Sequence, residues 1–209
     1  MKTTNILIVG VGGQGTLLTS RIIGTLALNS GYDVKMSEVH GMAQRGGSVV
    51  THVRFGDRIL SPLVEPGKAD IILAFEKLEA YRWLPYLKKD GIMVVNDQEI
   101  DPMPVIVGAS RYPDGLPEKI SCRCGQFALI RALDIAERIG NAKVVNTVLL
   151  GVLAKYLEAS PEAWQKAIEE TVPPKTIEIN KSAFSKGYST KQEIGKGKVH
   201  GGNVLEQSI

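Results

Sequence analysis

The chain has 209 residues, 44% of them apolar and 22% charged, which is the balance of a soluble protein with one sizeable core. Its formal charge is +3. Residues 181–200 alone carry +4 (Lys181, Lys186, Lys191, Lys196 and Lys198 against Glu193), which leaves −1 for the remainder. That distribution argues against a nucleic-acid-binding face on the body, and no apolar run approaches the roughly 20 residues of a membrane span.

The opening MKTTNILIVGVGGQG has a short apolar run that passes into glycines, without the small-residue cleavage pattern of a signal peptide, so a cytoplasmic protein is expected. Residues 5–9, NILIV, read as a buried strand. GVGGQG follows. In the next stretch Leu18, Ile22 and Leu26 recur every four residues, as on one face of a helix, with Gly31 suited to its C-terminal stop. Residues 33–37, DVKMS, form a second strand. Strand, glycine turn, helix and strand make the opening of a doubly wound α/β sheet.

SVVTHVRF, residues 48–55, puts Val49, Thr51, Val53 and Phe55 on one face and Val50, His52 and Arg54 on the other. Such alternation marks a half-exposed antiparallel strand, with His52 exposed or at an interface. Gly56-Asp57 reads as a turn and RILSPLV as the returning partner, so a hairpin is expected within the sheet. ADIILAF, 69–75, is a central parallel strand. KLEAYRWLPYLKK is a helix disturbed near Pro85, Asp90-Gly91 a turn, and IMVVN, 92–96, another buried strand. Residues 101–117 hold four prolines and read as loop around a short strand, PVIVG.

After Gly125 a helical pattern is read over QFALIRALDIAERIG, then a well-buried helix over VVNTVLLGVLAKYLEA. Ser160-Pro161-Glu162 starts a third helix, with a capping serine, proline at the first position and an acid in the first turn. A last helix fits PKTIEINKSAFSKG, closed by Gly187. Trp83 and Trp164 fall on helices as packing residues. The expected fold is a single three-layer Rossmann-like α/β domain over residues 1–187, with a mixed, mostly parallel sheet containing an antiparallel hairpin. Residues 188–209 are a polar, basic tail, either mobile or ordered by a partner. Cys122 and Cys124 are too close for a framework disulfide and too few for an iron–sulfur cluster, so both are read as reduced thiols.

Gly10, Gly12 and Gly15 satisfy G-x-G-x-x-G between a strand and a helix, where backbone N–H groups and the helix dipole attract an anion. Glu38 lies 23 residues beyond Gly15, where a dinucleotide-binding domain places the acid for a ribose hydroxyl. Three readings stand: a dinucleotide site, a site for another phosphate or a partner's backbone, and tight strand–helix packing alone. Gln14, after the extra Gly13, and the hairpin that interrupts the next βαβ unit count against NAD. SEVHGMAQRGGSVV then gathers Glu38, His40, Gln44 and Arg45 beside Gly46-Gly47. Glu76, at the end of a central strand, is a further candidate.

Two of these segments, GVGGQG and HGMAQRGGSV (residues 40–49), resemble the gamma-type component of the 2-oxoacid:ferredoxin oxidoreductases. Support comes from ADIILAFEKLEAYRWLPYLKKDGIMVVN, NTVLLGVLA and VPPKTIEINKSAF, so that the resemblance spans residues 5–187. It implies a non-redox subunit of an enzyme that oxidatively decarboxylates a 2-oxo acid, an arylpyruvate such as indolepyruvate, to an acyl-CoA and CO2 with ferredoxin as acceptor. A pyruvate, 2-oxoisovalerate or 2-oxoglutarate enzyme is the alternative within the class, and a free-standing nucleotide-binding or regulatory module the alternative outside it. Thiamine diphosphate and iron–sulfur clusters are implied in a large partner subunit, with coenzyme A as a possible shared ligand. The residues expected at that ligand or the partner are Gly10, Gly12, Gly13, Gln14, Gly15, Glu38, His40, Gln44, Arg45, Gly46 and Gly47. For His40 and Arg45 a loop bonding its own backbone is the competing reading. No catalytic residue and no metal ligand is expected in this chain.

Overall fold

A computed structural model describes residues 3–41 and 47–190. Six strands are hydrogen-bonded in the order β2-β3-β1-β4-β5-β6. β1 (Thr3–Val11), β2 (Asp33–His40), β4 (Ala69–Ala74), β5 (Leu87–Asn96) and β6 (Gln126–Ile130) run in one direction, and β3 (Ser48–Gly56) alone opposes them. The helices are α1 (Thr16–Asn29), α2 (Lys77–Trp83), α3 (Met103–Ile106), α4 (Leu116–Ser121), α5 (Ala132–Ile139), α6 (Val145–Ala154), α7 (Pro161–Thr171) and α8 (Ile177–Ser189).

Alternation along β1 divides the core between the two faces of the sheet. Ile6 and Ile8 point into one cluster with Ile22 and Ile23 of α1 and the buried faces of α5 to α8. Leu7 and Val9 point into the other, with Leu78 of α2 and Leu116 and Ile120 of α4. This is the expected three-layer α/β architecture. No helix among the described residues is long and apolar enough to cross a membrane. As its all-round apolar sequence suggests, α6 is buried from Asn146 to Ala154. It touches α8 backbone to backbone: a Cβ on Gly187 would stand 2.0 Å from the Val148 carbonyl oxygen, and one on Gly151 2.2 Å from that of Phe184. Gly187 therefore lies inside α8, as a contact point, where the sequence suggested a stop.

The hairpin is real but has a different partner. β3 pairs with β1 from Thr3↔Gly56 to Val11↔Ser48 and with β2 from Asp33↔Gly56 to His40↔Val49. With both edges taken, RILSPLV has no edge left to join and forms no strand. It is held instead by side chains: Asp33 accepts from the Ile59 N–H, Arg54 donates to the Ser61 and Leu63 carbonyls, and His52 Nδ1 accepts from the Val64 N–H. His52 is accordingly buried, against the expectation of an exposed residue. Its ring meets Trp83 edge-on at 6.5 Å.

Three local assignments also change. Asp90-Gly91 lies within β5, where the register slips between Ala69↔Leu87 and Ile71↔Ile92, so the turn signal marks a bulge. PVIVG is helical over Met103–Ile106, with a proline in the first turn. QFALI is a parallel edge strand, and helix begins only at Ala132. A five-residue apolar run continuous with a helical pattern carries no periodicity signal that separates the two.

Candidate functional site

Two connections leave the sheet side by side and part. After β1 the chain passes to α1 on one face; after β4 it passes to α2 on the opposite face. The space between the C-terminal ends of β1 and β4 is thus the topological switch point, where open α/β sheets bind ligands. The glycine turn sits there, and so does the start of β3, since β3 runs the other way.

The switch point is filled from within. Gln14 folds back so that its Oε1 accepts the Val11 N–H at 2.7 Å, while its Nε2 donates to the Phe75 carbonyl at 3.1 Å and to Gln98 Oε1 at 3.2 Å. Gly10 makes room for this amide. The Gly12 N–H is taken by the Gly47 carbonyl at 3.0 Å, which ties the turn to the foot of the 41–47 connection. Gly13 and Gly15 have φ of 100° and 88°, and a Cβ on Gly15 would press on Asn146 of α6 at 3.0 Å. α1 begins without a side-chain cap and without an acid in its first turn, so its N-terminal end keeps its affinity for negative charge.

Glu38 and His40 stand elsewhere. Both are on β2, and β3 intervenes between β2 and β1, so Glu38 is one strand further from the glycine turn than in a dinucleotide-binding sheet. Glu38 Oε2 accepts from Thr51 Oγ1 at 2.9 Å, and Oε1 lies 2.6 Å from His40 Nε2. His40 is 60% exposed. The filled switch point and the displaced acid both oppose a dinucleotide site. Gln44, Arg45 and Gly46 lie outside the described residues.

The other side of the switch point is built by the first turn of α2. Glu76 and Glu79 are 1% and 2% exposed, and carboxylates so buried must be partnered. Glu76 Oε2 caps α2 by accepting the Glu79 N–H at 2.8 Å; its Oε1 accepts from the Tyr112 hydroxyl and, at 3.3 Å, from the Ile100 N–H. Glu79 accepts from Ser48 Oγ and from Arg82 Nη1, each at 2.5 Å. Lys77 bridges Asp97 at 3.0 Å and Glu99 at 2.8 Å. Asn96 Nδ2 donates to the Phe75 carbonyl and to Gln98 Oε1. Burial pushes the Glu76 carboxyl above the usual carboxylate range, against the hydrogen bonds from Tyr112, Glu79 and Ile100. Burial and the neighbouring Glu76 also push the Tyr112 hydroxyl up, so it stays a donor.

An acid directly after the apolar run IILAF pointed to Glu76. Glu79, Ser48, Tyr112, Asn96 and Gln98 were missed. In KLEAYRW the second acid looks like part of a solvated face, and a tyrosine among prolines carries no positional signal. Of the two thiols, Cys122 is exposed and Cys124 buried, with burial pushing Cys124 up to about 12.

Comparison with known proteins gives a consistent result. Residues 5–190 match the family described as pyruvate ferredoxin/flavodoxin oxidoreductase. The indolepyruvate oxidoreductase subunit IorB of Thermococcus kodakarensis is 41% identical, over 93% of this chain and 98% of that one. Its counterpart from Pyrococcus horikoshii is 40% identical with the same coverage. Among solved structures, the pyruvate oxidoreductase subunit PORC of Thermotoga maritima superposes with a TM-score of 0.67 at 25% identity, over 90% of this chain and 96% of that one.

Proposed function

The chain belongs to the pyruvate ferredoxin/flavodoxin oxidoreductase family, and on that premise we propose that it is the small, non-redox subunit of an arylpyruvate:ferredoxin oxidoreductase. The assembled enzyme would oxidatively decarboxylate an arylpyruvate such as indolepyruvate to the aryl-acetyl-CoA and CO2, passing electrons to ferredoxin. The observation that carries the reading is end-to-end similarity, 41% over 93% of this chain and 98% of an indolepyruvate oxidoreductase subunit.

The residues support the division of labour. The whole sequence has two cysteines, fewer than a cluster takes, and among the described residues no group of three His, Cys, Asp or Glu side chains could hold a metal ion. On this reading thiamine diphosphate and iron–sulfur clusters are carried by the large partner subunit. The small subunit contributes the sheet edge made by the glycine turn, Ser48, Glu38 and His40. This edge fits a second protein surface better than a nucleotide, because Gln14 already occupies the crevice. Coenzyme A could bridge the two chains there, with the uncapped start of α1 and Arg45 supplying groups that suit phosphate.

Co-purification from the native organism, followed by reconstitution, tests this. A stoichiometric large subunit that carries thiamine diphosphate and clusters, with coenzyme A-dependent reduction of ferredoxin by indolepyruvate only when both chains are present, is the expected result. A chain that purifies alone and binds NAD with micromolar affinity would sink it. Preference for pyruvate, 2-oxoisovalerate or 2-oxoglutarate over arylpyruvates would move the protein within the class.

A further inference from the structure

One carboxylate oxygen closes an eleven-residue loop from both ends. Glu76 Oε1 accepts the Ile100 N–H at 3.3 Å on one side of residues 101–111 and the Tyr112 hydroxyl on the other. The Tyr112 oxygen in turn accepts the Leu78 N–H at 3.1 Å. A compact surface loop whose ends are held together is a common form for a functional element. This one carries Met103, Ile106 and Val107, each 66% exposed, close together on one helical turn and its cap. Such a concentration of exposed apolar side chains marks an interaction surface. The loop is continuous with the switch-point edge, since Gln98, two residues before Ile100, accepts from both Gln14 and Asn96.

We propose that Glu76 is the positioning residue of this edge, holding loop 101–111 so that Met103, Ile106 and Val107 enter an apolar recess on the large subunit. The inference rests on the subunit reading above and adds where and through what the two chains dock. A carboxylate needed only as a helix cap would use Oε2, which accepts the Glu79 N–H. Oε1 serves the loop alone. Lys77, tied to Asp97 and Glu99, fixes the approach to the loop from the same turn of α2.

The two roles separate by substitution. Glu76→Gln keeps an oxygen at Oε1 but puts an NH2 where the Glu79 N–H must be accepted. Glu76→Ala removes both oxygens, and Tyr112→Phe removes only the loop's own bond. The full-length variants would be titrated against the large subunit and the dissociation constant of the complex measured, with thermal melting of each variant alongside. Tyr112→Phe and Glu76→Ala should weaken assembly by about tenfold or more, the size expected of a hydrogen bond to a charged group, with Glu76→Gln close to the parent. If Glu76 only caps α2, Gln and Ala variants melt alike and every variant assembles as the parent does, which overturns the proposal. Ile106→Asp leaves the clasp untouched and should weaken assembly by at least about tenfold; unchanged assembly would overturn the docking role even if the Glu76 variants misfold. Failure of the parent chain itself to assemble counts against the subunit reading instead.

Discussion

The side chain of Gln14 lies directly over Gly10: a Cβ on Gly10 would stand 2.7 Å from Gln14 Oε1 and 3.0 Å from the Cβ of Phe75. The glycine in the fingerprint is thus required by a residue four positions later in the same turn.

Gly10→Ala should cost about 1–3 kcal/mol, the usual range for overpacking a closed site. Gln14→Ala alone should also destabilise, by about 1–3 kcal/mol, because the buried Val11 N–H loses its acceptor. In the double variant the new methyl occupies space the amide has left, so the sum should fall short of the two single effects. Urea unfolding of the four proteins gives the coupling; strict additivity would show that the Gly10–Gln14 contact is not the constraint.

At the α6–α8 crossing the contact is with backbone, which cannot turn aside. Gly187→Ala and Gly151→Ala should each cost about 3 kcal/mol or more, at or beyond the upper end of overpacking. Gly24→Ala gives the contrast. Its Cβ would press on the flexible Met36 thioether end, 3.1 Å away, and meet Val34 Cγ1 at an ordinary 4.0 Å, and the gain in helix propensity, about 1 kcal/mol, should offset the shift of the Met36 side chain. A Gly187→Ala melting temperature matching that of Gly24→Ala would refute the distinction.

Burial holds the His52 imidazole below its ordinary pKa of 6.5, and its Nδ1 is committed as an acceptor to Val64. The folded state therefore takes up its proton less readily than the unfolded one. Its share of stability is complete above about pH 6.5 and is lost as pH falls from there toward the lower folded-state value. Urea midpoints measured across that window should fall for the parent protein and fall less for His52→Gln, which keeps an acceptor without a titrating group. Parallel curves would exclude His52 as the source.

Arg45 lies outside the described residues, which end at Gly41, whose N–H donates to the Ser48 carbonyl, and resume at Gly47, whose carbonyl accepts the Gly12 N–H. With both feet of the connection anchored by backbone, Arg45→Ala should leave the melting temperature of the isolated subunit unchanged within about 2 °C. It should raise the Michaelis constant for coenzyme A or weaken assembly. Unfolding of the isolated variant would assign Arg45 a purely structural role.

Strand and helix order were legible wherever one period ran unbroken, as in NILIV into the α1 pattern or in ADIILAF. Sequence failed where tertiary pairing decided. RILSPLV has a strand-like composition, yet β3 has no free edge to offer it. QFALI is joined to a helix by an unbroken apolar pattern and is a strand because β5 leaves an edge open. The alternation in SVVTHVRF correctly announced an antiparallel strand but not its burial, because α2, Trp83 and the 58–64 segment cover the His52 face. For the candidate site, the glycine turn and Glu76 could be read locally. The clasp of Glu76 on Tyr112, 36 residues away, could not.

β3 is the third strand in sequence and lies between the first two. β1 and β2 share a direction and are not hydrogen-bonded to each other, so neither can serve as the other's template. During synthesis the first forty residues would emerge as two strands and a helix with no sheet to join. The sheet can begin to close only as β3 emerges, starting with Ser48 against Val11 and Val49 against His40, and that one strand supplies partners to both neighbours. Because β2 and β3 are antiparallel neighbours, the chain must reverse between His40 and Ser48 before either strand can pair.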